Sequence, residues 1–127
     1  MKKLCLVILI LFLLPVSAGA DDYFWDGNEL VKYMKEYERL VKKEPNRKCA
    51  DLVEAAKYEA YVVGVFDATN YMYNDPKRTA AKQVCAIVTK YLKEHPERWN
   101  QSACYLVMSA FGQAFGLDAE YIKKGCK

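Results

Sequence analysis

Apolar side chains recur at helical spacing in four stretches of the chain, and a break rich in proline or asparagine separates each stretch from the next. In the first stretch Asp26 and Glu29 have the capping-box spacing, and Leu30, Met34 and Tyr37 follow on one helical face. No stretch alternates with period two for long enough to predict a strand. The sequence therefore predicts an all-α fold, a single small bundle of about four helices with a short C-terminal turn. Short loops should make neighbouring helices antiparallel.

Caps and helix-breaking residues give the expected bounds of the helices, which are residues 26–43, 49–72, 78–93 and 102–116. Pro96 excludes regular helical hydrogen bonding from the turn after the third helix. His95 directly precedes it, and we interpret both residues as structural parts of that turn. Gly116 can end the fourth helix in a left-handed conformation.

Residues 1–20 have the pattern of a cleaved secretory signal peptide. Lys2 and Lys3 precede an eleven-residue apolar run, and Ala18, Gly19 and Ala20 give a small-x-small cleavage site. The apolar run is shorter than the ~20 residues that a membrane-spanning helix needs. We therefore expect residues 21–127 to form one exported domain, without membrane contact after cleavage.

Four cysteines lie in residues 21–127. An even number in a small exported domain predicts disulfides, here two, each contributing ~2–4 kcal/mol. At ~1.5 Å rise per residue, Cys85 and Cys104 should lie at similar heights in the bundle, whereas Cys49 should lie ~40 Å from the turn near Asp75. This geometry favours the pairs Cys85–Cys104 and Cys49–Cys126. Free buried thiols are the alternative.

Charge and motifs argue against nucleic-acid binding and catalysis. Without Lys2 and Lys3, 17 basic side chains face 16 acidic ones, and no basic face is predicted. His95 is the only histidine, and no GxSxG, HExxH or phosphate-binding glycine loop occurs. We expect no enzyme activity, no cofactor and no metal. Catalysis through His95 is the alternative.

A glycine, Gly64, stands inside the second predicted helix, three residues before Asp67. Glycine costs a helix interior ~1 kcal/mol relative to alanine. Because Ala60 and Ala68 extend a strip of small residues, we interpret Gly64 as a place where the fourth helix packs closely. Asp67 falls on the predicted inward stripe, where a tyrosine hydroxyl or a helix N-terminus would satisfy its carboxylate. A general base is the alternative reading of Asp67.

Tyrosine occurs ten times in the chain. Tyrosines suit both the shell of a small core and the centre of a protein interface, and we expect the first role for most of them. Two clusters in predicted loops, NYMYND and ERWNQ, are better placed to contact a partner. The predicted contact residues are Tyr71, Tyr73, Asp75 and Trp99.

The same segments resemble the Rap/Tai-type immunity proteins of type VI secretion amidase effectors. FWDGNELV (24–31) is similar to the opening of that family, YVVGVFDA (61–68) to its tyrosine-glycine-aspartate helix, and residues 88–116 to its His-Pro-Glu turn and alanine-rich last helix. The resemblance implies a periplasmic inhibitor that binds a peptidoglycan amidase and blocks its active-site groove. We also regard a homodimer as compatible with this role. A small exported holdase, which would bind many client proteins, is the alternative function.

Overall fold

The computed structural model describes residues 24–74 and 79–117. The helices are α1 (Gly27–Val41), α2 (Cys49–Thr69), α3 (Ala81–Glu94) and α4 (Ala103–Phe115), with short 3₁₀ turns at Asn70–Met72 and Pro96–Arg98. Strands are absent from these two ranges, so the prediction of an all-α bundle of four helices is confirmed. The proposed signal peptide and the C-terminal turn lie outside the described residues. None of the described helices is both long and apolar enough to cross a membrane.

The start of α1 is capped as predicted and is fastened to the start of α4. The Glu29 amide donates to Asp26 Oδ1 at 2.8 Å. The Gly27 amide donates to the Gln101 carbonyl at 2.9 Å, and the Ala103 amide donates to the Trp25 carbonyl at 3.0 Å. Chain segments far apart in sequence are thereby joined through their backbones.

The close approach at this junction requires a glycine. A Cβ atom at Gly27 would lie 2.7 Å from the Trp99 carbonyl oxygen and would also strike the Leu106 side chain. Gly27 is therefore the glycine that helix packing needs. Sequence reasoning assigned that role to Gly64.

The core is one cluster to which all four helices contribute, and its largest fully buried side chains include Tyr58, Phe111, Leu30, Leu92 and Leu106. Burying a side chain of this size contributes roughly 1.5–3 kcal/mol. The buried Tyr58 hydroxyl keeps its polar partners, because it lies 2.8 Å from Thr89 Oγ1 and donates to the Cys85 carbonyl at 3.2 Å. These bonds join α2 to α3.

The buried face of α2 differs from the predicted one. Ala55, Tyr58, Val62 and Phe66 are buried, whereas Gly64 and its small neighbours are exposed. A Cβ atom at Gly64 would meet nothing within 4 Å, so the predicted close packing there is wrong. The helix is apolar on nearly every side, and the large rings of Tyr58 and Phe66 decide which side is buried because they remove more area from water.

Asp67 also lies on the exposed side of α2. The prediction that its carboxylate points inward is therefore wrong, for the same reason. Its carboxylate has no burial cost to offset, and neither a structural hydrogen bond nor a general-base role is needed to explain this residue.

The predicted disulfide staple is not supported by the structure, in which Cys49, Cys85 and Cys104 are free thiols. Cys85 is buried beneath α1 and α2, whereas Cys104 is exposed, with its sulfur 3.9 Å from Met108 Sδ. The rise per residue fixes a height along a helix but not the direction of a side chain around it. For that reason the height argument paired two cysteines that face different surroundings. Cys126, the predicted partner of Cys49, lies outside the described residues.

Candidate partner-binding surfaces

The end of α2 and the end of α4 meet and expose apolar side chains to solvent. Tyr73 forms an antiparallel bridge with Leu117, and the Asn74 amide donates to the Gly116 carbonyl at 3.2 Å. Tyr71 is 67% exposed and Leu117 is 45% exposed. We call this region the open end of α4. It contains an aromatic side chain that a partner can reach.

Tyr73, unlike Tyr71, is buried. It is only 5% exposed, and its ring lies 5.8 Å from that of Phe111. Its hydroxyl donates to the Met108 carbonyl at 3.4 Å. Tyr73 thus anchors the open end to α4 and offers little surface to a partner. Asp75, predicted as a contact beside it, lies outside the described residues.

The turn from His95 to Ser102, before α4, is built around Trp99. This side chain is partly buried against the core, and its indole N–H donates to the Leu92 carbonyl at 2.8 Å. Its backbone forms one wall of the tight contact with Gly27. Trp99 is therefore placed mainly as an anchor, although sequence reasoning selected it as a contact residue. We call this region the fastened end of α4.

His95 and Pro96 open the same turn. The His95 ring packs on that of Tyr91 with their centroids 4.5 Å apart, and its Nδ1 lies 3.2 Å from Glu97 Oε1. Pro96 begins the 3₁₀ turn at its first position. The pKa of the exposed Glu97 carboxyl is lowered, first by the hydrogen bond from its own backbone and then by His95. These contacts belong to the turn itself.

Arg98 was missed by the sequence analysis, and it shapes the outer side of the fastened end. Its guanidinium donates to the hydroxyls of Tyr91 and Tyr105 and to Gln101 Oε1. It also lies over both tyrosine rings, 5.9 Å from the Tyr91 centroid and 5.4 Å from that of Tyr105. Tyr105 is 53% exposed, so it forms an aromatic surface held by a cation beneath it. Arg98 lies in the turn, seven residues from each tyrosine, and this spacing does not correspond to a helical contact at i+3 or i+4 that the sequence could have indicated.

The predicted contact residues do not form one cluster. Tyr71 and Tyr73 lie at the open end and Trp99 lies at the fastened end, with the thirteen residues of α4 between them. At 1.5 Å per residue this separation is about 20 Å. Of the predicted contact residues, Tyr71 has an exposed side chain and Trp99 does not; near the fastened end the exposed aromatic side chains are Tyr105 and Phe24.

The groups with the most strongly shifted pKa values are buried in the core. Burial raises the pKa of the Cys85 thiol to about 11 and that of the Tyr37 hydroxyl to about 12, and it raises the pKa of Tyr58 as well. At neutral pH the Cys85 thiol is therefore protonated and poorly nucleophilic. Within residues 24–74 and 79–117, no group of three or more His, Cys, Asp and Glu side chains could hold a metal ion.

The sequence that forms the four helices matches a known protein family. The family model for Rap1a immunity proteins matches residues 26–116. The match begins at the cap of α1 and ends just after α4, so it includes all four helices, the fastened end and part of the open end. No curated protein matches the chain.

Proposed function

Since the chain belongs to the Rap1a immunity protein family, we propose that it binds a peptidoglycan amidase effector of a type VI secretion system in the periplasm and inhibits it. The family match over all four helices is the observation that carries this proposal. The resemblance of the His-Pro-Glu turn and the tyrosine-glycine-aspartate segment to Rap/Tai-type proteins supports the choice of an amidase. The signal-peptide pattern of residues 1–20 supports action after export.

The exposed aromatic side chains supply the proposed contact surface. Tyr71 at the open end and Tyr105 at the fastened end both stand on anchored backbone, because Tyr73 holds the first and Arg98 lies beneath the second. Aromatic side chains that are already held in place lose little conformational entropy when a partner covers them. A standard interface buries ~800 Å² on each partner, and such a patch is wide enough to include both ends of α4.

Direct inhibition tests the proposal. The protein is exported from cells that express the full chain, purified, and mixed with a type VI peptidoglycan amidase effector, and release of cleaved stem peptides is followed. We expect inhibition to be complete at a stoichiometric ratio. If a stable complex does not form and cleavage continues at its full rate, the proposed function is wrong. Sedimentation of the inhibitor alone tests whether it forms a homodimer.

A second experiment separates the immunity role from the compartment. Cells that direct the amidase to their own periplasm should survive when they express the full chain and lyse when they express residues 21–127 without a signal. Equal protection by both forms would contradict action after export. A holdase would instead suppress aggregation of unrelated unfolded proteins, which we do not expect here.

A further inference from the structure

A groove of about 780 Å³ lies between the C-terminal half of α1 and the outer side of α3, and it includes neither exposed aromatic end. Its floor and walls contain apolar surface from Tyr37, Leu40, Val41 and Ala86. Val41 is 61% exposed, a large fraction for a valine in a bundle of this size. The groove therefore offers a partner apolar surface that no described helix covers.

Lysines surround this apolar surface and leave an excess of positive charge. Five lysines and three glutamates line the groove. Two of the lysines are paired within it, because Lys93 Nζ lies 2.5 Å from Glu38 Oε1 and Lys90 Nζ lies 3.8 Å from Glu94 Oε1. The other three form no ion pair with any residue that the structure describes, and they are Lys42, Lys43 and Lys82. The excess is local, since basic and acidic side chains nearly balance over residues 21–127.

One of these lysines has a backbone conformation that favours glycine. Lys43 has a φ of 55°. Its amide donates to the Leu40 carbonyl and the Glu44 amide donates to the Arg39 carbonyl, each at 3.1 Å. This is the Schellman pattern, whose left-handed position is usually glycine because a Cβ atom is strained there. A lysine at this position adds a charge at the mouth of the groove, at some cost in backbone strain.

We propose that the groove binds a short, extended acidic segment of a partner protein that carries one or two apolar side chains. The part of α3 that lines it, from Lys82 to Glu94, is about 18 Å long, which matches five or six extended residues at ~3.3 Å each. Spaced carboxylates would meet the three unpaired lysines, and the apolar side chains would cover Val41 and Ala86. This inference goes beyond the proposed inhibition of an amidase and does not depend on it.

Shape and charge favour an acidic peptide over two other anionic partners, a lipid surface and nucleic acid. A lipid surface is flat and would not enter a groove between two helices. Nucleic acid would bring its phosphates against Glu38, Glu59 and Glu94, which lie among the lysines. A peptide can place its carboxylates only where the lysines are.

Fluorescence polarisation with three labelled eight-residue peptides tests the proposal. The first is made of glutamates with one leucine and one phenylalanine, the second has lysines for the glutamates, and the third has glycines for the two apolar residues. We expect the first to bind with a Kd on the order of tens of micromolar, the third about tenfold more weakly, and the second not at all. Equal binding of all three would overturn the proposal.

Charge reversal locates the binding to the groove. We expect the double variant Lys42→Glu, Lys82→Glu to bind the acidic peptide at least about tenfold more weakly. The control is Lys35→Glu, an exposed lysine of α1 outside the groove, which should bind within about twofold of the wild type. Equal weakening by the control would show general attraction to a basic protein and would overturn the site. Binding of phosphatidylglycerol vesicles or duplex DNA in place of the peptide would also overturn it.

Lys43→Gly distinguishes a binding role from a structural one. It should raise the melting temperature because it relieves backbone strain, and it should weaken peptide binding about threefold. The matched control is Asn46→Gly, which changes the nearby left-handed residue (φ 62°) outside the groove and should leave binding unchanged. Unchanged binding by Lys43→Gly would remove Lys43 from the site. Amidase inhibition by these variants should stay at the wild-type level, so the two proposals can fail separately.

Discussion

The two ends of α4 carry similar loop aromatics but are held in different ways. At the fastened end two backbone hydrogen bonds join the start of α1 to the turn before α4, and Trp99 and Arg98 add side-chain bonds. At the open end the chain is held by the bridge between Tyr73 and Leu117 and by the burial of Tyr73, and Tyr71 remains 67% exposed. An aromatic residue in a loop can therefore either stabilise the fold or remain exposed to a partner. Its hydrogen bonds and burial decide which.

The largest difference between the ends should appear when each loses its leading aromatic residue. Trp99→Ala removes the bond to Leu92 and the packing of the indole against the core, so we expect it to lower the free energy of unfolding by about 2–3 kcal/mol. Tyr71→Ala removes an exposed ring, so it should change that free energy by less than about 0.5 kcal/mol. Urea denaturation measures both. Equal losses of unfolding free energy would show that the ring of Tyr71 stabilises the fold as much as that of Trp99.

The same pair should behave in the opposite order in amidase binding at a temperature where both variants are folded. Tyr71→Ala should weaken binding by more than about 1 kcal/mol, because an exposed aromatic on an anchored backbone is a typical hot spot. The control is Phe24→Ala. Phe24 is 92% exposed, and it precedes α1 beside the fastened end rather than at the open end. Equal weakening by Phe24→Ala would remove the special role of Tyr71.

Two glycines give the next largest contrast. Gly27→Ala forces a Cβ atom against the Trp99 backbone, so we expect it to destabilise the fold by roughly 2 kcal/mol. Gly64→Ala adds a methyl group on the exposed side of α2 and should stabilise the fold by about 0.5–1 kcal/mol through helix propensity. Thermal unfolding of the two variants measures both signs. A loss of stability in Gly64→Ala would instead show that another helix packs closely on Gly64, as the sequence suggested.

Helix bounds could be predicted from the sequence, whereas the direction of side chains around each helix could not. The capping residues of α1 and the breaks at Pro45 and Pro96 are local signals, and they gave four helices with bounds close to those observed. The face of α2 is not local information, because a helix that is apolar on nearly every side can bury any of them. The pairing of Cys85 with Cys104 failed for a related reason, since side-chain direction depends on how each helix rotates about its axis.

The candidate site was predicted in part for the same physical reason. Both loops, NYMYND and ERWNQ, were identified from their composition, but only the first carries an exposed aromatic side chain, since Trp99 is partly buried and Tyr105 lies in α4. Which aromatic side chain faces solvent depends on hydrogen bonds across the turn, such as the one from Trp99 to Leu92 and those from Arg98 to Tyr91 and Tyr105. The groove between α1 and α3 could not be predicted, because it is formed by the outer sides of two helices whose relative position is set by the core.

A smaller effect is expected from the cation beneath Tyr105. Arg98→Lys keeps the positive charge but loses the planar group that bonds to two tyrosines and Gln101 together. We expect a loss of about 1 kcal/mol in unfolding free energy and greater mobility of the Tyr105 ring, which NMR relaxation of that residue would show. If the ring stays as rigid as in the wild type, packing alone holds the aromatic surface of the fastened end.

The smallest effect is a pH dependence confined to the fastened end. The pKa of Glu97 is lowered in the folded protein, by its own backbone amide first and then by His95 and Arg98. A lowered pKa means that the folded state favours the ionised carboxylate, so the stabilisation is present above the unfolded value near 4.5 and is lost as the pH falls through the folded value. We therefore expect the melting temperatures of the wild type and Glu97→Gln to differ slightly at pH 7 and to converge as the pH falls well below 4.5. Because every other carboxylate titrates equally in the two proteins, their difference isolates this turn. A difference that stays constant over that acid range would show that Glu97 acts through packing rather than through its charge.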